Sequence, residues 1–125
     1  MKFNSDFRYD LEIGKEYESR FADLFRNKKF EIKTDFIAQK TGNIAIEYKS
    51  RGKLSGISTT ESDFYVYIIP NASLKNIMLI LPISELKELS KKKGREGMIK
   101  RMGDNNTSES ILIPIKDLFN NGENQ

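Results

Sequence analysis

The chain begins with a helical pattern of apolar residues. Between residues 11 and 25, apolar side chains recur at spacings of three and four and form one stripe: Tyr17, Phe21, Leu24 and Phe25. This spacing predicts an amphipathic helix with one buried face. A second, shorter helix is predicted for residues 85–92, where Ser84 can cap the first turn.

Short apolar runs between and after these helices predict the strands of a sheet. Residues 30–33 form a first short run, and the β-branched and aromatic run 63–69 predicts a central strand. Residues 77–81 predict its neighbour, and residues 111–113 predict a short edge strand. The polar, glycine-containing segment 94–110 is predicted to be a loop with a functional or mobile role. The order of helix, strands and helix predicts a four- or five-stranded mixed sheet with the first helix on one face.

Residues 35–49 predict a β-hairpin that gathers charge. Two apolar runs flank a Gly-Asn pair, the residues that a tight turn favours. Because side chains alternate along a strand, Glu47 and Lys49 are expected on one face. The turn brings Asp35 opposite residue 47 or 48, and a three-residue connection with a left-handed glycine would pair it with Glu47 directly. Two close carboxylates repel each other. A Mg²⁺ ion bound by their oxygens would offset this repulsion. The alternative is a surface hairpin on which Glu47 and Lys49 form a solvated ion pair.

The residues of this hairpin that carry a family resemblance are Asp35, Glu47, Tyr48, Lys49 and Arg51. Their order resembles the D…ExK core of the PD-(D/E)XK nuclease superfamily. Within it, the continuation to arginine resembles the archaeal-type and phage-encoded Holliday junction resolvases. The proline of the motif is absent, since Thr34 precedes the aspartate. The resemblance covers residues 11–90.

The resemblance implies an α/β (α+β) fold with a restriction-endonuclease-like core, and a Mg²⁺-dependent DNA endonuclease in which Mn²⁺ can substitute. It implies that Asp35 and Glu47 hold the metal, with the Tyr48 carbonyl as a third ligand. Lys49 is expected to stabilise the attacking hydroxide or the charge that develops on the phosphate. Glu18, on the first helix, is expected to orient a water or to support a second ion. The alternative for Glu18 is an ordinary helical glutamate.

The resemblance further implies branched DNA, such as a Holliday junction, as the substrate, cut by a homodimer whose symmetry matches the junction. Apolar residues beyond the needs of one small core, among them Phe64, Tyr65, Tyr67 and residues 111–113, are candidates for the dimer interface. Three alternatives remain open. They are a nuclease for duplex or flapped DNA, a catalytically silent DNA-binding module, and a small protein-interaction domain.

Basic and hydroxyl side chains near the motif and after the second helix are the candidates for DNA contact. The predicted DNA-binding residues are Arg51, Lys53, Ser58, Thr60, Lys91, Lys92, Lys93, Arg95, Lys100 and Arg101. Clustered cations suit a phosphate backbone, where each contact releases counterions. For the lysines that end the second helix, the alternative is a solubilising helix end favoured by the helix dipole.

Composition narrows the chemistry further. The 125 residues contain no cysteine and no histidine, so catalysis must use carboxylates, lysines, hydroxyls or an oxygen-bound metal. The formal net charge of +3 is only mildly basic. A single domain over residues 1–125 with a disordered tail at 120–125 is predicted. The expected location is cytoplasmic, within a host cell if the chain is phage-encoded, and no membrane association is expected.

Overall fold

The computed structural model describes residues 3–71 and 73–119, with side chains from residue 9 onward. The helices are α1 (Phe3–Phe25), α2 (Ala38–Thr41) and α3 (Ile83–Arg95). The strands are β1 (Phe30–Thr34), β2 (Asn43–Ser50), β3 (Lys53–Leu54), β4 (Phe64–Asn71), β5 (Lys75–Pro82), β6 (Ile99–Met102) and β7 (Ser108–Pro114). The predicted disordered tail lies outside the described residues. In the part of the chain described, no helix has the length and apolar character needed to cross a membrane.

The strands form two sheets in a mixed α+β fold. One sheet has the order β1-β4-β5, with β1 parallel to β4 and β5 antiparallel to it. The other has the order β3-β2-β7-β6 and is antiparallel throughout. The prediction of one mixed sheet of four or five strands is therefore wrong. The central position predicted for β4 is confirmed.

The core lies between the inner face of the three-stranded sheet, strands β2 and β7, and helix α3. Its best-buried large side chains are Tyr65, Ile44, Ile46, Leu86 and Ile113. Ile44 and Ile46 alternate with less buried residues in the first half of β2, so these two side chains enter the core. Phe64, Tyr65, Tyr67, Ile111 and Ile113, expected at a dimer interface, are buried within this chain instead.

Helix α1 lies largely apart from this core. It is longer than predicted, and its apolar stripe faces outward, with Tyr17 at 61 % and Phe21 at 59 % exposure. Its last turn packs on the sheet, where the Phe25 ring lies 5.3 Å from the Phe30 ring and 5.1 Å from the Phe64 ring between centroids. The prediction that this helix covers one face of the sheet is wrong. The periodicity identified a helix but not its partner.

The hairpin predicted for residues 35–49 does not form. Strand β1 ends before Asp35, and helix α2 stands where the first hairpin strand was expected. Gly42 adopts a left-handed conformation with φ of 77°, and its N–H donates to the Ala38 carbonyl at 2.8 Å. It therefore caps a helix and does not turn a hairpin. The consequence is that Asp35 follows a strand of the three-stranded sheet, while Glu47 lies in the four-stranded sheet.

Two further predictions need correction at the C-terminal end. The segment 94–110, predicted as a loop, contains β6 and a 3₁₀ turn at Asp104–Asn106. Strand β7, predicted as an edge strand, lies between β2 and β6. Its position in the middle of the sheet explains why Ile111 and Ile113 are buried.

Candidate functional site

Asp35 and Glu47 line one cavity, although Asp35 follows β1 of one sheet and Glu47 lies on β2 of the other. This cavity, called here the Asp35 cavity, has a volume of about 350 Å³. Asp35 follows the last residue of β1, while Glu47 lies on β2 beside Ala45, which has the same facing. Lys33 adds a cation to the same cavity. The structure thus brings two carboxylates and one lysine together without a hairpin.

The Asp35 carboxylate is fixed by three backbone donors. Its Oδ1 accepts from the N–H groups of Ile37 and Ala38, each at 3.0 Å, and its Oδ2 accepts from Ala45 N–H at 3.2 Å. The first two bonds satisfy amides at the start of α2, as a capping side chain does. The third ties the end of β1 to β2. Asp35 therefore holds the two sheets together at the cavity.

Glu47 is less constrained than Asp35. Its Oε2 accepts from the Ser55 hydroxyl at 2.9 Å, and no other described donor bonds its side chain. Behind it, Gly56 has a φ of +53°, and a Cβ at this position would overlap the Glu47 carbonyl group. Only glycine combines this conformation with such a close approach. The Glu47 side chain thus has a carboxylate oxygen available to a ligand, on a backbone held from behind.

Two tyrosines form the inner wall of the Asp35 cavity. The Tyr67 hydroxyl donates to the Ala45 carbonyl at 3.0 Å. Burial is the main cause that raises its pKa, and the charges of the nearby groups Tyr65, Asp35, Glu31 and Glu47 raise it further. Burial, with Glu31 and Glu47 adding to it, raises the pKa of Tyr65 to about 12. Both hydroxyls therefore stay protonated at neutral pH, and both sense the carboxylates of the cavity.

Lys49 lies away from this cavity because β2 is irregular beside it. Glu47 pairs with Ser110 on β7, yet Lys49 pairs with Glu109, so the register shifts between them. Such a β-bulge adds one residue to a strand and breaks the alternation of its side chains. Because Glu109 and Ser110 face opposite sides of β7, Lys49 is directed to the face opposite Glu47. The expectation that these two side chains share a face is wrong.

The other predicted ligands are also placed differently from the expectation. The Tyr48 carbonyl accepts from Ser55 N–H at 3.0 Å and from the Ser58 hydroxyl at 2.9 Å, so both its lone-pair directions are used. Glu18 is exposed on α1 and does not line the Asp35 cavity. Among residues 9–71 and 73–119, no cluster of three or more acidic, histidine or cysteine side chains forms a metal site.

Lys33 is the member of the site that the sequence interpretation missed. Its Nζ lies 2.7 Å from a Glu31 carboxylate oxygen and 5.4 Å from the centre of the Tyr65 ring. Hydrogen bonding to Lys33 is the main cause that lowers the pKa of Glu31. A signal was available, since Lys33 stands two residues before Asp35, the spacing that gives side chains of an extended chain the same facing.

A second cavity lies on the other face of the four-stranded sheet, under helix α3. This α3 cavity has a volume of about 620 Å³. Its lining includes Ser58, Lys91 and Arg95, which were predicted to contact DNA. Lys87 adds a further cation to the wall formed by α3. Ile46 and Glu47 are consecutive on β2 and face opposite sides of the sheet. Ile111 is the register partner of Ile46, so it faces the side opposite Glu47.

The remaining predicted DNA-binding residues are spread over the surface. The exposed basic residues among them are Arg51, Lys53, Lys92, Lys100 and Arg101. Thr60 donates its hydroxyl to Glu31 at 2.8 Å. Lys93 is only 14 % exposed in its side chain and lies 2.6 Å from Asp117. Asp117 raises the pKa of Lys93, which indicates a structural ion pair.

The comparisons with known proteins add no name to this arrangement. Protein-family models, curated proteins and solved structures were compared with the chain, and none of them matches it.

Proposed function

We propose that this chain is a Mg²⁺-dependent nuclease whose site is the Asp35 cavity. The observation that carries the proposal is that Asp35, Glu47 and Lys33 line one cavity of about 350 Å³. Mg²⁺ is commonly held by one or two carboxylates, with waters and substrate phosphate completing its shell. The donor set fits this ion without the Tyr48 carbonyl, and Mn²⁺ is expected to substitute.

Asp35, Glu47 and Lys33 would have different roles in this reaction. Asp35, held by three amides, gives a carboxylate of fixed orientation, and Glu47 gives one that can adjust. Lys33 replaces Lys49 as the cation beside the phosphate, where it offsets negative charge as the scissile bond breaks. A bound Mg²⁺ would act as a Lewis acid on the phosphate oxygens. Tyr65 and Tyr67 keep water from the inner wall.

The substrate in this proposal is DNA, and the motif resemblance favours branched DNA cut by a homodimer. The restriction-endonuclease-like core belongs to the same proposal, here in a form that divides its strands between two sheets. Apolar side chains exposed on α1 and on the outer face of β1 and β5 support a second copy as partner; they include Tyr17, Phe21, Ile32 and Met78. Sedimentation with and without a four-way junction tests the homodimer, and a protein that remains monomeric in both contradicts it.

Glu47→Gln is the decisive variant for metal chemistry. It removes a charge from the cavity and keeps an oxygen for the Ser55 hydroxyl, so the fold should persist. Cleavage of labelled four-way junction, duplex and single-stranded DNA is measured with Mg²⁺ and with EDTA. The variant should lose cleavage, while Glu61→Gln, an exposed glutamate outside the cavity, should retain it. Cleavage that survives in Glu47→Gln contradicts the proposed site.

Metal binding can be measured without activity. The chain has five tyrosines and no tryptophan, and Tyr65 and Tyr67 line the cavity, so bound Tb³⁺ should luminesce through them. Glu47→Gln should weaken this binding by about tenfold or more, as loss of groups at metal sites commonly does. Equal luminescence from Glu47→Gln and Glu61→Gln would place the ion elsewhere.

A second candidate function is a DNA-binding module without metal chemistry. The observation that favours it is that three amides already occupy Asp35 and two donors already occupy the Tyr48 carbonyl. This candidate predicts salt-dependent DNA binding that is unchanged by EDTA and by Glu47→Gln. The same junction assay separates the two functions, because only the nuclease gives product.

A further inference from the structure

The α3 cavity contains a buried hydroxyl that has no partner in the described chain. Ser90 lines the cavity, is only 5 % exposed, and its Oγ has no hydrogen-bond partner within the described residues. Buried side-chain hydroxyls are nearly always hydrogen-bonded in native proteins. The Ser90 hydroxyl is therefore a buried donor that the described chain leaves unused.

Three cations stand along the same helix face as this hydroxyl. Lys87, Lys91 and Arg95 are spaced by four residues, which places them on one side of α3. Within residues 9–71 and 73–119, Lys87 and Arg95 form no salt bridge, and Lys91 has only a distant one, 3.8 Å from Glu88. Their charge is thus largely uncompensated, so this wall of the cavity attracts an anion.

The opposite wall of the cavity is flat and apolar. Ile99 and Ile111 are register partners on β6 and β7 and present their side chains together. Tyr48 lines the same cavity, and its hydroxyl donates to Glu109 at 2.8 Å, which anchors the outer end of the ring. An aromatic ring held in this way offers a stacking surface to a planar ligand.

We propose that the α3 cavity binds a nucleotide unit. The base would lie against Tyr48 and the isoleucines, the phosphate would meet Lys91 and Arg95, and the Ser90 hydroxyl would bond a polar atom of the ligand. An inorganic anion would leave the apolar wall in water, and an acyl chain would leave the Ser90 hydroxyl unpaired. The volume of about 620 Å³ lies within the range of small-molecule sites.

The nucleotide has two possible sources, a free mononucleotide or an unpaired nucleotide of a DNA strand. Both share the chemistry of a planar base joined to a phosphate. The inference does not depend on metal chemistry, because the α3 cavity and the Asp35 cavity lie on opposite faces of the four-stranded sheet.

The test is a titration of the full chain, followed by amide chemical shifts, with dAMP, deoxyadenosine, inorganic phosphate, a five-nucleotide single strand and a blunt duplex. We expect dAMP to bind at least tenfold more tightly than deoxyadenosine or phosphate, with shifts at Tyr48, Ser90 and Arg95. A single strand that binds more tightly than dAMP identifies the strand as the source, and equal binding identifies the free nucleotide. Phosphate that binds as well as dAMP, or shifts elsewhere, overturns the proposal.

Matched variants distinguish binding in the α3 cavity from nonspecific attraction to the positive charge of helix α3. Ser90→Ala should weaken dAMP binding several-fold and leave unfolding unchanged or slightly more difficult, because an unpaired hydroxyl is removed. Ser84→Ala, on the exposed side of the same helix, should change neither. Arg95→Ala should weaken binding more than Lys92→Ala, since Lys92 does not line the cavity. Equal effects from Arg95 and Lys92, together with no effect from Ser90, would overturn the site, whatever the nuclease assay shows.

Discussion

The four-stranded sheet has a cavity with carboxylates on one face and a cavity with cations on the other. Asp35 and Glu47 mark the first, and Lys87, Lys91 and Arg95 mark the second. Both use the same strand, β2, whose alternating side chains supply one wall to each. One β-sheet thus separates the carboxylates of the Asp35 cavity from the cations of the α3 cavity. The bulge after Glu47 interrupts this alternation, and Lys49 lines neither cavity.

The largest expected effect is at the wall that the two cavities share. Gly56 lines the Asp35 cavity, while Ile57 and Ser58 of the same 3₁₀ turn line the α3 cavity. Gly56→Ala adds a Cβ that overlaps the Glu47 carbonyl, in a left-handed conformation. It should lower the free energy of unfolding by about 3 kcal/mol and disturb both cavities. Denaturant unfolding measures this change.

Gly52→Ala is the matched control for this prediction. Gly52 also has a positive φ, of +77°, but nothing lies within 4 Å of an added Cβ. The cost should be about 1 kcal/mol, from backbone strain alone. Equal losses in the two variants would mean that the close approach of Gly56 to Glu47 does not limit the fold.

The two carboxylates of the Asp35 cavity should differ in their contribution to stability. Asp35→Ala leaves three backbone N–H groups without their acceptor and should cost about 2 kcal/mol. Glu47→Ala loses only the bond to Ser55 and should cost less than about 1 kcal/mol. Thermal and denaturant unfolding without metal measure both. Equal costs would contradict the structural role assigned to Asp35.

Replacing either tyrosine of the same cavity by phenylalanine should change the free energy of unfolding by a smaller amount, and the two changes should differ in sign or size. Tyr67→Phe removes the donor to the Ala45 carbonyl and should cost about 1 kcal/mol. Tyr65→Phe removes a buried hydroxyl that has no hydrogen-bond partner in the described chain, and should leave stability equal or higher. Unfolding curves in denaturant compare them. A larger loss for Tyr65→Phe would mean that its hydroxyl is bonded in solution.

The smallest effect concerns Lys93, which stands among the cations of α3 but is bonded to Asp117. The hydrogen bond from Lys93 is the main cause that lowers the pKa of Asp117 from 3.8. The stability that the ionised Asp117 carboxylate gives the folded state is therefore present above pH 3.8 and is lost as the pH falls further. The pKa of Lys93 is raised from 10.5, so its contribution is lost as pH rises above that value. Asp117→Asn should therefore flatten the pH dependence of stability in both ranges.

A DNA-binding measurement completes the contrast between Lys93 and its neighbours. Lys93→Ala should change the salt dependence of DNA binding less than Arg95→Ala, because Lys93 is already paired within the chain. A larger effect from Lys93 would return this lysine to the DNA-binding surface.

Some parts of the molecule could be predicted from local pattern alone. Strands β1, β4 and β5 and helix α3 follow the apolar runs closely, because β-branched and aromatic residues favour strands and the three-residue spacing of Leu86 and Leu89 favours a helix. The Gly-Asn pair at residues 42–43 was ambiguous. A left-handed glycine serves equally as a hairpin turn and as a helix C-cap, and the choice depends on where Asp35 finds donors.

Other parts depend on contacts between distant segments. Whether β7 is an edge or a centre depends on β6, whose four residues show little apolar alternation. The bulge that turns Lys49 away from Glu47 arises from pairing with β7 and leaves no mark in the sequence of β2. Asp35 and Glu47 line one cavity, but they do not lie on the adjacent strands that were predicted. The participation of Lys33 becomes clear once β1 and Asp35 are seen to be continuous.

The close approach of Gly56 to the Glu47 carbonyl has a consequence for communication between ligands. The turn that touches Glu47 on one side continues into Ile57 and Ser58 on the other. If both proposed cavities bind ligands, a ligand that displaces this turn from one face would change the free energy of binding at the other face. Thermodynamic linkage makes that coupling reciprocal, so a metal that alters nucleotide affinity must have its own affinity altered by the same factor.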